Sequence, residues 1–267
     1  MGNLKNAPVI YTLGMFRFPH TPIDETIIEK LKAELSSQYP SFETSKTQAY
    51  NTTFNQQGIS VNSQTIKTWQ FATKAKEWGF VLSEQSFGLH ASNFYYDFKD
   101  FSIKFNLGIE TLKKVMNIQW ITSIGMRYVN LIEPKNGLNV NDYLKPWLLP
   151  TQPNDIPVKL INDIYVARYN SKFGELRLQM FHNPSFTLPP ELNSQFIINN
   201  TWIRPQPRGE FALVDLDHFI TKIDDPKFSS SMIIEKLGDL RNVSNNIFKS
   251  IGTDLAMKEW KSDGNDD

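Results

Sequence analysis

Residues 100–134, DFSIKFNLGIETLKKVMNIQWITSIGMRYVNLIEP, decide the fold, because a helix-period half runs directly into a strand-period half. In the first half, apolar residues recur at steps of three and four and therefore share one stripe of a helix. These residues are Phe101, Phe105, Ile109, Leu112 and Met116. Asp100 is the predicted N-cap of this helix. After Ile118 the period changes to two, which predicts a strand that follows the helix almost without a loop.

The predicted strand has two different faces, because successive side chains of a strand point to opposite sides. One face carries Ile124, Met126, Tyr128 and Asn130, and the other carries Ser123, Gly125, Arg127 and Val129. A buried arginine or asparagine in a central strand must be paired or must line a cavity. We therefore expect Arg127, Tyr128 and Asn130 to bind a ligand, with a structural network between Arg127 and a carboxylate as the alternative.

An earlier segment, residues 12–18, echoes residues 123–129. Both begin with a small residue, an apolar residue, glycine and methionine in that order. The elements predicted after each copy also follow the same order, which indicates an internal duplication with its seam near Gln119. Chance likeness between aromatic-rich strands is the alternative. The duplication predicts a core that includes Leu13, Met15, Ile124 and Met126.

Each predicted half, residues 1–119 and 120–260, contains a strand, a helix, four strands and a final helix, and residues 261–267 form a polar tail that we expect to be disordered. By the rules for packing layers, this order predicts an α+β fold in which antiparallel strands carry the helices on one face. The fold class is therefore a tandem duplication of a β-α-β4-α unit, with a topology similar to helix-grip and TATA-binding-protein-like folds. One continuous sheet shared by both halves is an alternative layout.

Local signals set the predicted element boundaries. Thr21 as N-cap and Pro22 at the first helical position predict the start of the first helix. A short helix is predicted around residues 141–147, and a long one from about Ser230 to Ile251, with Gly252 as its C-cap. The four strands of the second half are predicted at residues 164–169, 175–181, 195–202 and 209–221.

Composition bounds the function classes. Apolar residues make up 40% of the 267 residues, which is enough for a sizeable core. Lys plus Arg and Asp plus Glu both number 28, so no net charge attracts nucleic acid or an acidic membrane. The absence of cysteine excludes disulfides, thiolate metal sites and cysteine nucleophiles. Because the sequence also carries no secretory signal and no apolar span of membrane length, we expect a cytoplasmic protein without a cofactor.

One compact cluster, Asp215, Asp217 and His218, has the composition of a metal or acid–base site. On a strand the two aspartates share a face about 7 Å apart, close enough to share a metal ion or a proton. The alternative function that this cluster predicts is a metal-dependent hydrolase or nuclease, with Asp215 and Asp217 as ligands and His218 as a candidate base. His218 has the opposite strand phase, so a bulge would be needed to bring it to the same site. Acidic residues that alternate on a solvent-facing strand are the alternative interpretation.

Four pieces of the chain together carry a family resemblance. They are Asn6-Ala7-Pro8, the meander from residues 68–71 to 94–95, the central residues 124–130, and residues 215–219 before the last long helix. On these pieces the chain resembles the sporadically distributed family of uncharacterised bacterial proteins of about this length, over nearly the whole chain. The resemblance implies a bacterial source and no mechanism. A patchy distribution implies accessory or mobile genes, including toxin–antitoxin or phage-defence cassettes.

The remaining signals favour binding over catalysis. The sequence contains no nucleophile elbow, phosphate-binding glycine loop, dinucleotide fingerprint or His-Glu-x-x-His pair. Arg204 and Arg208 flank two prolines and can contact a phosphate or an acidic partner, or form a solvated turn. Aromatic residues in strands and turns indicate an interface if several are exposed in one patch; they include Tyr95, Tyr96, Trp147, Trp202 and Trp260. We therefore expect a non-enzymatic protein-interaction or regulatory module, whose partner is a protein encoded nearby or a second copy of the chain.

Overall fold

A nine-stranded antiparallel sheet forms the centre of the computed structural model. The structure describes residues 4, 6–55, 58–149, 160–189, 192 and 207–261, with the backbone alone for 47–55 and 58–64. The strands are β1 Val9–Arg17, β2 Ser41–Asn55, β3 Gly58–Ala72, β4 Trp78–Ser83, β5 Ser86–Ala91, β6 Ser123–Ile132, β7 Asp163–Asn170, β8 Glu175–His182 and β9 Ala212–Ile220. They lie in the order β2-β3-β4-β5-β1-β6-β9-β8-β7. The predicted α+β class with an antiparallel sheet is confirmed, in the layout of one continuous sheet.

Helices separate the strands along the chain. They are α1 Glu25–Leu35, α2 Phe98–Val115, α3 Val140–Tyr143, α4 Ser230–Ile251 and α5 Asp254–Lys261, with a short 3-10 helix at Pro146–Leu148. The long helix α4 begins and ends as predicted, with Ser229 as N-cap and Gly252 as C-cap. The helix predicted around residues 141–147 is instead the two short pieces α3 and the 3-10 helix. The strand predicted at 195–202 lies outside the described residues, as does the tail after Lys261.

Two predicted N-caps are wrong by one helical turn. Asp24 caps α1, because its carboxylate accepts a hydrogen bond of 2.9 Å from the backbone N–H of Ile27. Asp97 caps α2 in the same way, accepting from the backbone N–H of Asp100 at 2.7 Å. The predicted caps Thr21 and Asp100 therefore lie three residues from the true ones, before α1 and inside the first turn of α2.

The main core lies between one face of the sheet and the helices, and we call that face the helix face. Phenylalanine rings from three strands and from α2 are fully buried there and pack against one another. Ring centroids lie 5.3 Å apart for Phe80 and Phe87, 6.0 Å for Phe87 and Phe105, and 6.2 Å for Phe16 and Phe105. Each buried ring stabilises the fold by roughly 1.5–3 kcal/mol through the apolar area removed from water.

The other face of the sheet, the open face, carries Leu13 and Met15, which are only half-buried. Leu13 packs against the smaller apolar cluster described next, and the predicted core position is wrong for Met15. Ile124 and Met126 are fully buried on the helix face, as predicted. Strand β1 is apolar at both odd and even positions, so alternation alone does not tell which set meets the helices. A smaller apolar cluster covers one end of the open face; it contains Ile10, Tyr11, Val129, Leu131, Phe181, Leu188, Leu192, Phe211 and Leu213.

The residue-by-residue echo between β1 and β6 is out of phase in the structure. In the antiparallel register Gly14 lies opposite Met126 and Met15 lies opposite Gly125. Gly14 faces the helices, where an added Cβ would lie 2.7 Å from the Phe101 ring, whereas Gly125 faces the open side. Aligning the two glycines therefore equates positions on opposite faces of the sheet. That alignment is wrong, and the structure does not confirm the duplication.

Two glycines on helices make a matched test of the packing between the helices and the sheet. Gly108→Ala in α2 would place a Cβ 2.3 Å from the Phe80 ring, so we expect it to lower the free energy of unfolding by about 1–3 kcal/mol. Gly238→Ala in α4 meets the Phe98 ring at 3.4 Å and should raise that free energy by about 0.5–1 kcal/mol through helix propensity. Urea denaturation measures both, and a stabilised Gly108→Ala variant would contradict the packing of α2 on β4.

Candidate functional site

A buried ion pair lies on the open face between β6 and β9. Arg127 donates two hydrogen bonds to Asp215, from Nε to Oδ1 at 2.9 Å and from Nη2 to Oδ2 at 2.6 Å. Both side chains are buried. Arg127 lies directly opposite Asp217 in the register, so its bond to Asp215 is diagonal. Arg127 thus has the structural partner that was the alternative to ligand binding, and its charge is compensated within the fold.

Tyr11 and His90 lie beside this ion pair. The Tyr11 hydroxyl and Nδ1 of His90 form a hydrogen bond. Burial raises the pKa of Tyr11 well above its ordinary value, an effect that Arg127 opposes and Asp215 reinforces. Burial also lowers the pKa of His90 to about 3. Both groups are therefore neutral at physiological pH. This pair could not be predicted from the sequence, because Tyr11 and His90 lie 79 residues apart.

Asp217 shares the open face with Asp215, as strand alternation predicts, and it is also matched by arginines. Its carboxylate lies 3.8 Å from Nη2 of Arg177, and Arg127 and Arg177 flank it in direct register on β6 and β8. A metal ion would have to compete with these guanidinium groups for both carboxylates. Across the described residues, no group of three His, Asp or Glu side chains is placed to hold a metal ion.

His218 points to the helix face, away from both aspartates. The register between β6 and β9 is continuous, so the bulge that would bring His218 to the aspartates is not there. Its Nδ1 donates to the backbone carbonyl of Leu240 at 3.0 Å, and its Nε2 accepts from the Ser171 hydroxyl at 2.8 Å. Burial lowers the pKa of His218. The prediction that His218 acts as the base in a site formed by Asp215 and Asp217 is therefore wrong, because His218 lies on the opposite face of the sheet.

Ser171 and His218 form a hydroxyl–imidazole pair that sequence reasoning missed. The Ser171 oxygen also accepts backbone hydrogen bonds from Phe173 at 3.1 Å and Gly174 at 3.0 Å. These bonds close the turn between β7 and β8. A Cβ at Gly174 would lie 2.2 Å from the carbonyl oxygen of Phe219, so the turn is packed tightly on β9. The pair therefore fastens the β7–β8 hairpin to the sheet.

The other predicted binding residues are dispersed. Tyr128 and Asn130 are buried on the helix face, so they do not share a surface with Arg127. The Tyr128 hydroxyl lies 3.2 Å from that of Tyr95, and Asn130 donates to the carbonyl of Val214 at 3.1 Å. Arg208 is exposed in the loop before β9, and Arg204 lies outside the described residues.

Two cavities open on the same face, on either side of β1. The β5-side cavity has a volume of about 350 Å³ and the β6-side cavity about 320 Å³, and both are lined by Leu13, Met15 and Arg17. The β6-side cavity is also lined by Ser123, Gly125, Arg127, Asp217, Phe219 and Thr221. These volumes lie at the lower end of the range for small-molecule sites, roughly 300–1,000 Å³.

Exposed apolar side chains concentrate around the edge strand β7. Eleven large apolar residues of the described chain are exposed, and five of them lie on or beside β7. We call these five the β7-edge patch; they are Trp147, Ile161, Ile164, Val166 and Tyr169. Among the aromatic residues singled out from the sequence, Tyr95 and Trp260 are buried, Tyr96 is exposed elsewhere, Trp147 belongs to the patch, and Trp202 lies outside the described residues.

The chain matches no protein-family model. A search of curated proteins likewise gave no significant match. None of the described helices combines the length and the apolar character that crossing a lipid bilayer requires.

The buried ion pair predicts that substituting Asp215 destabilises the fold much more than substituting Asp217. Asp215→Ala removes the buried carboxylate that accepts both hydrogen bonds from Arg127, so we expect the free energy of unfolding to fall by about 3–5 kcal/mol. Asp217→Ala breaks a longer, partly exposed contact and should cost less than about 1 kcal/mol. Urea denaturation compares the two variants. Equal losses would contradict a special role for the pair between Arg127 and Asp215.

The lowered pKa of His90 predicts that the fold loses stability in acid. Its pKa is about 3 in the folded chain and about 6.5 when unfolded, so only the unfolded state takes up its proton between these values. The stabilisation is complete above about pH 6.5 and decreases as the pH falls, by about 1.4 kcal/mol per pH unit. We expect His90→Gln to flatten this dependence in urea denaturation, and His20→Gln, at an exposed site, to leave it unchanged. An unchanged slope in His90→Gln would contradict the prediction.

Proposed function

We propose that this chain is a non-enzymatic protein-interaction or regulatory module, bacterial and cytoplasmic, that binds a partner protein through the β7-edge patch. The observation that carries the proposal is the concentration of five of eleven exposed large apolar side chains around one strand. Single exposed apolar residues are normal on a protein surface, whereas several of them around one edge strand indicate an interaction site. The fractional exposures of Ile164 and Val166, 64% and 54%, are high for aliphatic residues in a strand.

The position of β7 suits the addition of a partner strand. β7 pairs with β8 along one edge, and no strand among the described residues pairs with its other edge. Edge strands offer backbone N–H and C=O groups to an incoming strand. Ile164 and Val166 lie on one face of β7, and Tyr165 and Tyr169 lie on the other. A partner strand at this edge would therefore meet apolar side chains above and below its backbone.

Charge does not protect this edge. Arg168 is the basic residue on the open face of β7, and its Nε and Nη2 each donate to Glu175 at 2.7 Å. The bidentate bond neutralises the charge that commonly keeps edge strands from pairing. Because the chain also has no net charge, the partner is recognised by shape and apolar contact more than by long-range attraction.

The partner we propose is a protein encoded nearby, with self-association as the alternative. This follows from the proposed membership of the sporadically distributed bacterial family, whose patchy occurrence is typical of toxin–antitoxin or phage-defence cassettes. Both partners fit the same edge. The metal-dependent hydrolase that uses Asp215 and Asp217 receives less support, because arginines compensate both carboxylates.

We also propose that the two halves arose by duplication of one unit. The sheet order supports this proposal, because β1 and β6 lie together at the centre and each half returns by a meander to its own first strand. A long helix follows the last strand of each half, α2 after β5 and α4 after β9. The likeness is one of element order, since the described part of the second half contains three strands after its first one.

A charge introduced on β7 tests the interaction. We expect the double variant Ile164→Lys, Val166→Lys to keep its fold, because both side chains are exposed, and to lose its stoichiometric partner in affinity purification from the native host. Ile103→Lys on α2, a residue of similar exposure outside the patch, is the matched control and should retain the partner. Light scattering after size exclusion shows whether the partner is a second copy.

Equal recovery of the partner by wild type and the double variant would place the interface elsewhere. If no stoichiometric partner and no self-association is found, and the purified chain instead cleaves a phosphodiester or ester with Mn²⁺ or Mg²⁺, the proposal fails and the hydrolase takes its place. Loss of that cleavage in Asp215→Asn, Asp217→Asn would then assign it to the two aspartates.

A further inference from the structure

We propose that the β6-side cavity binds a small carboxylate with an apolar body, held by Arg17 at its carboxylate and by Met15 and Phe219 along its apolar part. This site is separate from the β7-edge patch, since β9 and β8 lie between the cavity-bearing pair β1–β6 and β7. It therefore stands or fails independently of the protein-interaction function.

Arg17 supplies the positive end of the site. Its side chain is exposed, lines both cavities, and makes no hydrogen bond or ion pair with any residue that the structure describes. In the register it lies between Ser86 of β5 and Ser123 of β6, so hydroxyl-bearing residues flank it on both sides. An arginine in this position presents a planar fork of N–H donors that matches a carboxylate.

The other charges that line the β6-side cavity are already compensated. Arg127 is paired with Asp215, and Asp217 contacts Arg177. Among the lining residues, Arg17 is thus the charge that remains uncompensated within the described chain. A ligand with a single negative charge completes this balance, whereas a cation or a dianion does not.

The apolar part of the site follows from the row of residues next to Arg17. Met15 lies in register between Gly88 of β5 and Gly125 of β6, so its side chain stands between two positions without side chains. Phe219 follows Gly125 across the sheet on β9. A Cβ at Gly125 would lie 3.6 Å from the Phe219 Cβ, an ordinary contact, so packing does not demand glycine there. The missing side chain instead leaves space above an apolar floor.

The polar and apolar rows together define the ligand class. Successive residues of one strand on the same face lie about 7 Å apart, which is the distance from the row of Arg17 to the row of Met15. A carboxylate on Arg17 therefore places the adjoining carbons over Met15 and Phe219. The cavity volume of about 320 Å³ suits a small molecule.

Titration with sodium octanoate, followed by the methyl resonances of ¹³C-methyl methionine, tests the site. The chain has seven methionines, so the methyl group of Met15 is the reporter, assigned with Met15→Leu, and the other methyl groups report on the fold. We expect a saturable shift of the Met15 resonance with octanoate and binding at least about tenfold weaker with octylamine, which has the same chain and the opposite charge.

Two variants separate the charge from the cavity. Arg17→Gln should weaken octanoate binding about tenfold or more, and Arg168→Gln, at an arginine already paired with Glu175 on the same face, should leave it unchanged. Gly125→Leu should abolish binding by filling the cavity while Arg17 is intact. Equal affinity in Arg17→Gln and wild type, equal affinity for octanoate and octylamine, or no shift of Met15 at millimolar octanoate would each overturn the proposal.

Discussion

The antiparallel pairing of β1 with β6 is the constraint on which the rest of the structure depends. β1 also pairs with β5 and β6 also pairs with β9, so both central strands have hydrogen bonds along both edges. The strands of each half extend outward from this pair. Because β1 and β6 hold the register, they determine which side chains meet the helices and which reach the open face. The buried rings on the helix face and the cavities on the open face both follow from which alternating set of side chains faces the helices.

The buried face could be predicted from the sequence for β6 but not for β1. In β6 the two alternating sets differ in polarity, with Ile124 and Met126 on one side and Ser123 and Gly125 on the other, so the buried face could be predicted from the sequence. β1 is apolar in both sets, and for that reason the sequence wrongly predicts a core position for Met15. The same ambiguity explains why aligning Gly14 of β1 with Gly125 of β6 was misleading. A shift of one residue exchanges the two faces of a strand, so the two glycines match in sequence and lie on opposite faces of the sheet.

At the candidate site, the sequence does not predict which residues pair with each other when they lie far apart along the chain. A buried arginine requires a carboxylate, and the sequence predicts that much for Arg127. The chain offers 28 acidic residues, and Asp215 is chosen only because β9 pairs with β6 88 residues later. Near neighbours can be ambiguous too. Asp97 and Asp100 are both suitable caps, and in the structure the first of them caps α2.

The charges of the open face form a row that explains why the two aspartates resemble a metal site in the sequence and are matched by arginines in the structure. Arg127, Asp217, Arg177 and Arg168 lie directly opposite one another across β6, β9, β8 and β7. Adjacent arginines on β8 and β7 would destabilise the sheet if they were uncompensated. Glu175 binds Arg168 and Asp217 contacts Arg177, while Asp215 takes Arg127 from the neighbouring row.

Asp217 within this row, and Asp215 and Glu175 in the adjacent rows, therefore compensate the guanidinium groups that strand pairing brings together. Of the arginines on the described open face, Arg17 lies outside this balance, at the mouth of the cavities beside β1. An anion that leaves water gains most where a positive charge has no internal partner, because elsewhere it must displace a carboxylate that is already bound. The pairing that matches the carboxylates of β9 with arginines thus leaves Arg17, beside β1, as the charge that the proposed carboxylate ligand would match.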